Sequence, residues 1–403
     1  MRDPYAFLGG TGGTRPSTVV TWSVVATCIV CAILLPALGN LVDASTKRRQ
    51  VFYYGSILTG VWTIFGSILG TSYVWAVALV FTSLTAVTYE IAYLGLGPYL
   101  PEIATTDSAR NKVSGLRQMG STAAQLGFAV VTGIPSLFLA PLPMAILGNV
   151  TCFLWIVVCA PMAYNALRDR PATGSRGNPY AELMKTLKEA KKYPHCFRFL
   201  LMHAFSGSAV GSVITQMQTF SAALGFSAFD ILILVVVILI FAPVSAAVYS
   251  FCLNSISPKK HQLFINVLFI GFIVFFSLAL KPNSLALGIV GAVIVGIGFG
   301  LFYSLNMANF MKVVPAAHKS EFVGLMGFFG FAFRFVPAAV YGAIVEATNS
   351  HEYAFMSIAI WNILAFFICL TIDFEKGEKD ALGKSSVEMN SIQDADAAVT
   401  PKD

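Results

Sequence analysis

Residues 18–41 read TVVTWSVVATCIVCAILLPALGNL and contain no charged side chain. A helix needs about 20 apolar residues to cross the hydrocarbon core of a bilayer. The following residues, 42–49, read VDASTKRR and end in three consecutive basic side chains. An apolar run followed by a basic cluster is typical of a transmembrane helix that ends at the cytoplasmic surface. We therefore predict that residues 18–41 span a membrane.

Further apolar runs follow this first one at regular spacing. They lie near residues 51–70, 74–100, 118–138, 144–166, 197–222, 230–252, 263–281, 284–308, 321–346 and 352–373. Composition agrees, because 56% of the 403 residues are hydrophobic and only 11% are charged, whereas soluble domains carry about 25% charged residues. The alternation typical of a membrane β-barrel is absent. We expect an all-α, polytopic transmembrane helix bundle of about eleven spans.

Lysine and arginine are concentrated in alternate connections of this bundle. They cluster at 47–49, 110–117, 168–198, 259–260 and 312–319, and four more lysines follow in the tail. Such loops face the cytoplasm, which places the C-terminus there and the N-terminus outside or in a lumen. The net charge of +6 is therefore expected to contact anionic membrane lipids rather than nucleic acid.

The same pattern divides the chain into five parts. They are an N-terminal extension (1–17), a five-span bundle (18–166), a cytoplasmic linker (167–195), a six-span bundle (196–373) and a disordered cytoplasmic tail (374–403). In the linker, Tyr180, Leu183, Met184 and Leu187 follow helical spacing beside four lysines. This predicts an amphipathic helix on the cytoplasmic leaflet, and a plain basic linker is the alternative.

The loop after the first span combines a glycine, an acid and a basic cluster. Gly39 allows close helix contact, Asp43 lies at the helix end, and Arg48 and Arg49 occupy the next turn. This order resembles the signature loop of the major facilitator superfamily, which joins spans two and three and closes the cytoplasmic side. The resemblance implies that these four residues form a cytoplasmic gate. A short loop that merely obeys the positive-inside rule is the alternative.

A narrower resemblance covers short motifs across residues 18–372. Residues 97–104 read GPYLPEIA, residues 198–200 read RFL, and residues 321–325 read EFVGL. These segments resemble the autophagy-linked vacuolar amino-acid effluxer family, within the major facilitator superfamily. The resemblance implies a two-half fold that exports amino acids from a vacuole or lysosome-like compartment by alternating access.

Two departures from that family pattern bear on function. If the signature loop joins spans two and three, the usual first span is missing, through a truncated gene reading or because the protein has eleven spans. In the superfamily that span lines the central cavity, so its true absence would favour a role as a receptor or scaffold over transport. The acidic residue that the family carries early in span seven is also absent, since residues 204–208 read AFSGS.

Two charges lie inside predicted spans, where each costs a few kcal/mol. We predict that Glu90 takes up a proton or binds a substrate amine, and that Arg334 binds a substrate carboxylate or balances Glu90. The alternatives are a structural ion pair or an Arg334 that reaches the membrane surface. Polar residues of neighbouring spans complete the predicted substrate or proton site: Tyr93, Gln125, Gln216 and Asn306. A further polar residue, His203, reads as a packing residue.

The sequence contains no phosphate-binding loop, zinc pattern or nucleophilic triad. Cys28 and Cys31 lie inside an apolar run and read as buried packing residues. We therefore expect no enzymatic activity, no cofactor and no metal. The leading prediction is a secondary transporter of a small solute, plausibly amino acids, with proton coupling as one option. The rivals are a plasma-membrane carrier of another small metabolite and a non-transporting receptor or scaffold.

Overall fold

The computed structural model describes residues 16–382, except 44, 70–74, 97–98, 100–106, 137, 140, 170–177, 253–255, 281–283 and 316–318. Within these residues the secondary structure is helical. The first half contains α1 (Pro16–Asp43), α2 (Arg48–Leu69), α3 (Trp75–Leu96), α4 (Asp107–Ser136) and α5 (Pro141–Ala166). The linker helix α6 (Pro179–Lys191) follows.

The second half begins with four long helices: α7 (Pro194–Ala223), α8 (Ala228–Cys252), α9 (Pro258–Ala279) and α10 (Leu285–Val313). Its last two spans are each broken into two segments. They are α11 (Lys319–Ala332) with α12 (Phe335–Thr348), and α13 (His351–Ser357) with α14 (Ala359–Leu370). The predicted all-α transmembrane bundle is confirmed, and all eleven predicted apolar runs coincide with helical segments.

In the described part of the chain, nine helical segments are long and apolar enough to cross a membrane. The two predicted spans outside this set correspond to α2 and α4. Polar residues lower the hydropathy of α4, among them Arg117, Gln118 and Gln125. Because α4 packs against α8 and α10, part of its surface faces protein rather than lipid.

The two halves meet along two seams. One seam joins α1 to α11 and α12, and the other joins α4 to α8 and α10. Helix association in lipid depends on close van der Waals packing rather than on hydrophobic burial. Within the second half, Gly300 of α10 provides such packing against α8, because a Cβ at Gly300 would collide with the Ala242 carbonyl oxygen. The space between the seams is bounded by helices of both halves.

The linker helix packs on the second half. Leu183 and Leu187 contact a core that includes Phe199 and Phe322, whereas Tyr180 and Met184 remain exposed. The Tyr180 hydroxyl also donates a hydrogen bond to the Ile33 carbonyl of α1 at 2.9 Å. The predicted apolar face therefore divides between protein contacts and exposed surface, and α6 connects both halves.

Residues 374–382, which the sequence analysis assigns to a disordered tail, instead form a helix. Its first residue, Phe374, packs edge-on against Phe199 with ring centroids 6.0 Å apart. A Cβ at Gly377 would lie 2.9 Å from Val313 Cγ1, so this helix also approaches the end of α10 closely. The prediction failed because the segment is polar by composition and needs only a few apolar contacts to dock.

Candidate substrate site

Arg334 lies at the break between α11 and α12, where the chain makes a turn at residues 333–334. Its side chain reaches the buried surface of α7 at Gly211. A Cβ added to Gly211 would lie 2.7 Å from Arg334 Nε and 3.3 Å from Cζ. Real Cβ atoms do not approach that closely, so a larger residue at position 211 would oblige the end of the Arg334 side chain to shift.

Glu90 approaches Arg334 from the other half of the bundle. It lies on α3, is partly buried, and interacts electrostatically with Arg334. Cys28 and Cys31 of α1 lie within electrostatic range of both charges. The two charges that the sequence analysis singled out, one from each half, thus act on each other electrostatically.

Three tyrosines surround this pair of charges. Tyr89 and Tyr93 flank Glu90 on α3, and Tyr303 of α10 lies within electrostatic range of Glu90, Tyr93 and Arg334. The Tyr93 hydroxyl accepts a hydrogen bond of 2.7 Å from Arg117 Nη1 of α4. The predicted residue Tyr93 therefore belongs to the cluster, and Arg117 adds a second cation beside it.

Asn306 belongs to a buried polar chain that joins three helices. Its Oδ1 accepts a 3.2 Å hydrogen bond from Gln262 Nε2 of α9, and its Nδ2 lies 2.7 Å from His203 Nδ1 of α7. The His203 ring stacks on Phe302, with centroids 6.1 Å apart. His203 also interacts electrostatically with Arg334. The sequence analysis predicted only packing for His203, because it considered this residue without its contacts to Asn306 and Arg334.

The other two predicted site residues occupy different environments. Gln216 is buried further along α7, where its Oε1 accepts a hydrogen bond of 3.2 Å from Thr21 Oγ1 of α1. The exposed side chain of Gln125 donates to Ser121 on its own helix at 3.3 Å. Gln216 therefore belongs to the seam between α1 and α7, whereas the contacts of Gln125 do not join it to the charged cluster.

A carboxylate that the sequence analysis missed joins the halves at the end of the bundle away from the basic loops, here called the outer end. Glu346 Oε1 accepts hydrogen bonds from Trp22 Nε1 at 2.7 Å and from Thr18 Oγ1 at 3.0 Å. A Cβ at Gly342 would lie 3.3 Å from the Trp22 ring. We call Thr18, Trp22, Gly342 and Glu346 the outer seam.

The predicted cytoplasmic gate makes its described contacts with the first half and with the start of the linker. Gly39 lies near Leu94 of α3, at 4.0 Å from a Cβ position to Cδ2. Arg49 forms a 2.9 Å ion pair with Asp169, and its guanidinium lies 4.6 Å from the centre of the Tyr164 ring.

The two remaining gate residues lie at the facing ends of α1 and α2. Arg48 is buried at the start of α2. Asp43 is the last residue of α1, and its side chain lies outside the described atoms. The gate therefore remains a prediction.

Two packed halves of long apolar helices define a multi-pass membrane protein. In agreement, residues 13–338 match the profile of the Major Facilitator Superfamily. This match covers most of the 403 residues, and the chain belongs to the Major Facilitator Superfamily.

Two kinds of relative were found within that superfamily. The chain is 21% identical to the uncharacterized MFS-type transporter YxiO of Bacillus subtilis (strain 168) over 375 residues, which cover 89% of this chain and 84% of that protein. It is 26% identical to Autophagy-related protein 22 of Cryptococcus neoformans var. neoformans serotype D over 91 residues. The second match covers 23% of this chain and 17% of that protein.

Proposed function

We propose that this protein is a secondary transporter of small zwitterionic solutes, with amino acids as the leading class. The observation that carries the proposal is that two oppositely charged side chains partly buried within the bundle, Glu90 of the first half and Arg334 of the second half, interact electrostatically. A solute with an amine and a carboxylate satisfies both charges through charge-assisted hydrogen bonds. Because the two partners belong to different halves, the bound solute stabilises the arrangement that brings them together.

Transport by alternating access needs a closable seam on each side of this site. At the outer end, hydrogen bonds from Trp22 and Thr18 to Glu346 hold the halves together. At the other end, the gate loop with Arg48 and Arg49 is the counterpart that the superfamily resemblance implies. The solute enters when the outer seam opens and leaves to the cytoplasm when the gate loop separates.

An ion gradient or the solute's own gradient supplies the energy in this proposal. In this proposal Glu90 is the group that takes up a proton when no amine is bound, because a charged carboxylate inside a span is costly. The exchange of a proton for the solute's amine at Glu90 would then couple proton movement to solute transport.

Two membranes are candidates for the location of this protein. A vacuolar or lysosome-like membrane with amino-acid efflux is what the motif resemblance implies, and the 91-residue similarity to Autophagy-related protein 22 agrees with a link to autophagy. The longer similarity is to an uncharacterized bacterial MFS-type transporter, and a plasma-membrane carrier of another small metabolite remains the second candidate. Both candidates share the same mechanism and differ in the solute that fits between the two charges.

Uptake by the purified full chain in lipid vesicles tests the proposal. Vesicles containing the wild type are expected to accumulate at least one radiolabelled standard amino acid faster than empty vesicles. Glu90→Gln is expected to slow this uptake and flatten its dependence on a proton gradient. The matched control is His261→Phe, which alters a buried histidine bonded to Tyr249 at 2.9 Å, outside the cluster.

The outcomes separate the proposal from its rivals. Amino-acid uptake that Glu90→Gln leaves unchanged in rate and in proton dependence removes Glu90 from the mechanism. Wild-type vesicles that accumulate other small metabolites but no amino acid favour the plasma-membrane carrier. A chain that binds solutes yet accumulates none favours the receptor or scaffold.

A further inference from the structure

We infer that His203 and Arg334 together form a carboxylate-binding subsite, in which His203 donates a hydrogen bond from Nε2 and Arg334 supplies the positive charge. The inference rests on the proposed function in one respect, namely that the carboxylate belongs to a zwitterionic solute whose amine faces Glu90. It adds a ligand, His203, that neither the sequence motifs nor the relatives assign.

The hydrogen-bond chain to Gln262 determines which nitrogen of His203 carries its proton. Gln262 Nε2 donates to Asn306 Oδ1 at 3.2 Å, so the Asn306 amide presents its Nδ2 to His203 Nδ1 at 2.7 Å. An amide nitrogen only donates, and Nδ1 must therefore accept. The proton of the neutral ring consequently lies on Nε2, which is left available as a donor.

Glycines of α7 and α11 leave space around that donor. A Cβ at Gly330 would lie 3.2 Å from His203 Nε2, and a Cβ at Gly207 would lie 3.4 Å from Cε1. Among the described residues, Nε2 has no hydrogen-bond partner, whereas Nδ1 is occupied by Asn306. A larger residue at position 330 would crowd the nitrogen that is free to bind a ligand.

His203 and Arg334 meet the same face of α7. His203, Gly207 and Gly211 are spaced by four residues, so they share one face of the helix. The Arg334 side chain crosses this face at Gly211, and its charge acts on the His203 ring. A cation and a neutral N–H donor along one stripe suit a carboxylate, whose two oxygens accept from both.

The packing of His203 supports a fixed position for the donor. Its ring stacks on Phe302 at an interplanar angle of 14°, and the contact to Asn306 restrains rotation of the ring. Donors that are held in place before binding lose little conformational freedom when the ligand arrives. His203 therefore acts as a direct ligand, whereas Asn306 and Gln262 are positioning residues that act through it.

Thermal stabilisation of the purified full chain by three matched probes tests this subsite. The probes are L-leucine, 3-methylbutylamine (leucine without its carboxylate) and 4-methylpentanoate (leucine without its amine). The wild type is expected to be stabilised by leucine and by 4-methylpentanoate. His203→Phe keeps the stacked ring and removes both nitrogens, and it should weaken binding of these two probes about tenfold while leaving 3-methylbutylamine unchanged.

Further variants keep the result interpretable. His203→Gln, which retains an N–H donor, is expected to recover part of the carboxylate binding. Asn306→Leu, which removes the donor to Nδ1, is expected to weaken it less than His203→Phe does. His261→Phe again serves as the control and should bind all three probes like the wild type.

The inference is overturned if neither carboxylate probe stabilises the wild type, or if His203→Phe binds both as tightly as the wild type does. Equal loss of all three probes in His203→Phe would also overturn it, because that result indicates a general packing defect. Carboxylate binding without amino-acid uptake into vesicles would instead contradict the proposed function and leave the subsite standing.

Discussion

Trp22 Nε1 donates a hydrogen bond of 2.7 Å to Glu346 Oε1 and so connects α1 of the first half with α12 of the second. Thr18 Oγ1 donates to the same oxygen at 3.0 Å. A bond to a charged acceptor contributes about 1.5–3 kcal/mol, which is comparable to the free-energy differences between conformations that a carrier exchanges. The outer seam is therefore strong enough to hold this end closed and weak enough to open.

Removing the charge of the outer seam should favour its opening. Glu346→Gln keeps the size of the side chain but replaces the charged acceptor, so the population with an open outer end should rise about tenfold. Hydrogen–deuterium exchange should then accelerate in peptides from the start of α1 and the end of α12. Thr82→Ala is the control, because the described hydrogen bond of the Thr82 hydroxyl runs to the Ala78 carbonyl on its own helix. Unchanged hydrogen–deuterium exchange in Glu346→Gln would show that the outer seam does not hold this end of the bundle closed.

A single methyl group on α7 should displace Arg334. In Gly211→Ala the added Cβ would lie 2.7 Å from Arg334 Nε, so the guanidinium must move away from α7. We expect amino-acid uptake to fall about tenfold or more, because a misplaced charged ligand loses its charge-assisted bonds. Gly327→Ala on α11 is the control, since nothing lies within 4 Å of its Cβ position. Equal uptake by the two variants would contradict this placement of Arg334.

Docking of the C-terminal helix should depend on pH through Asp373. The Asp373 carboxylate accepts a hydrogen bond from the Lys376 backbone N–H at 3.0 Å, which lowers the pKa of that carboxyl from its ordinary value of 3.8. A lowered pKa means that the carboxylate stabilises the docked helix above the unfolded pKa and loses this effect as the pH falls through the folded pKa.

A spin label at an exposed position of the helix measures this dependence. With the label on Lys379→Cys, mobility should increase as the pH is lowered below about 4. Asp373→Asn keeps a capping oxygen without an ionisable group, so its mobility should not show that transition. A transition of the same size in both proteins would show that another group controls the helix.

The apolar runs predicted the fold well because a long apolar helix is stable in lipid, although polar residues lower the hydropathy of α4. The charges at Glu90 and Arg334 were also visible, since an ionisable residue inside a span is rare and costly. The sequence could not reveal that His203 contacts Asn306, because 103 positions separate them and their pairing depends on how α7 meets α10. The seam residue Glu346 was missed for the same reason, since its donors lie on α1.

The helix at 374–382 shows that composition can also predict disorder where the chain is folded. Its composition is polar, and composition alone predicted disorder. Docking depends on a few contacts, such as Phe374 with Phe199 and Gly377 with Val313, that become apparent only when the ends of α7 and α10 are placed side by side. Similarly, Gln125 shares a helical face with Gln118 and Thr122, yet Gln125 is exposed whereas Gln118 and Thr122 are buried.

The central claim is that Glu90 and Arg334 hold the solute between the two halves instead of merely neutralising one another. Amino-acid uptake by Glu90→Gln, Arg334→Gln and the double variant in lipid vesicles tests it most directly. If both side chains bind the solute, each single variant is slow and the double variant is at least as slow as the slower of them. Recovery of the double variant to nearly wild-type uptake would identify a structural ion pair and contradict the claim.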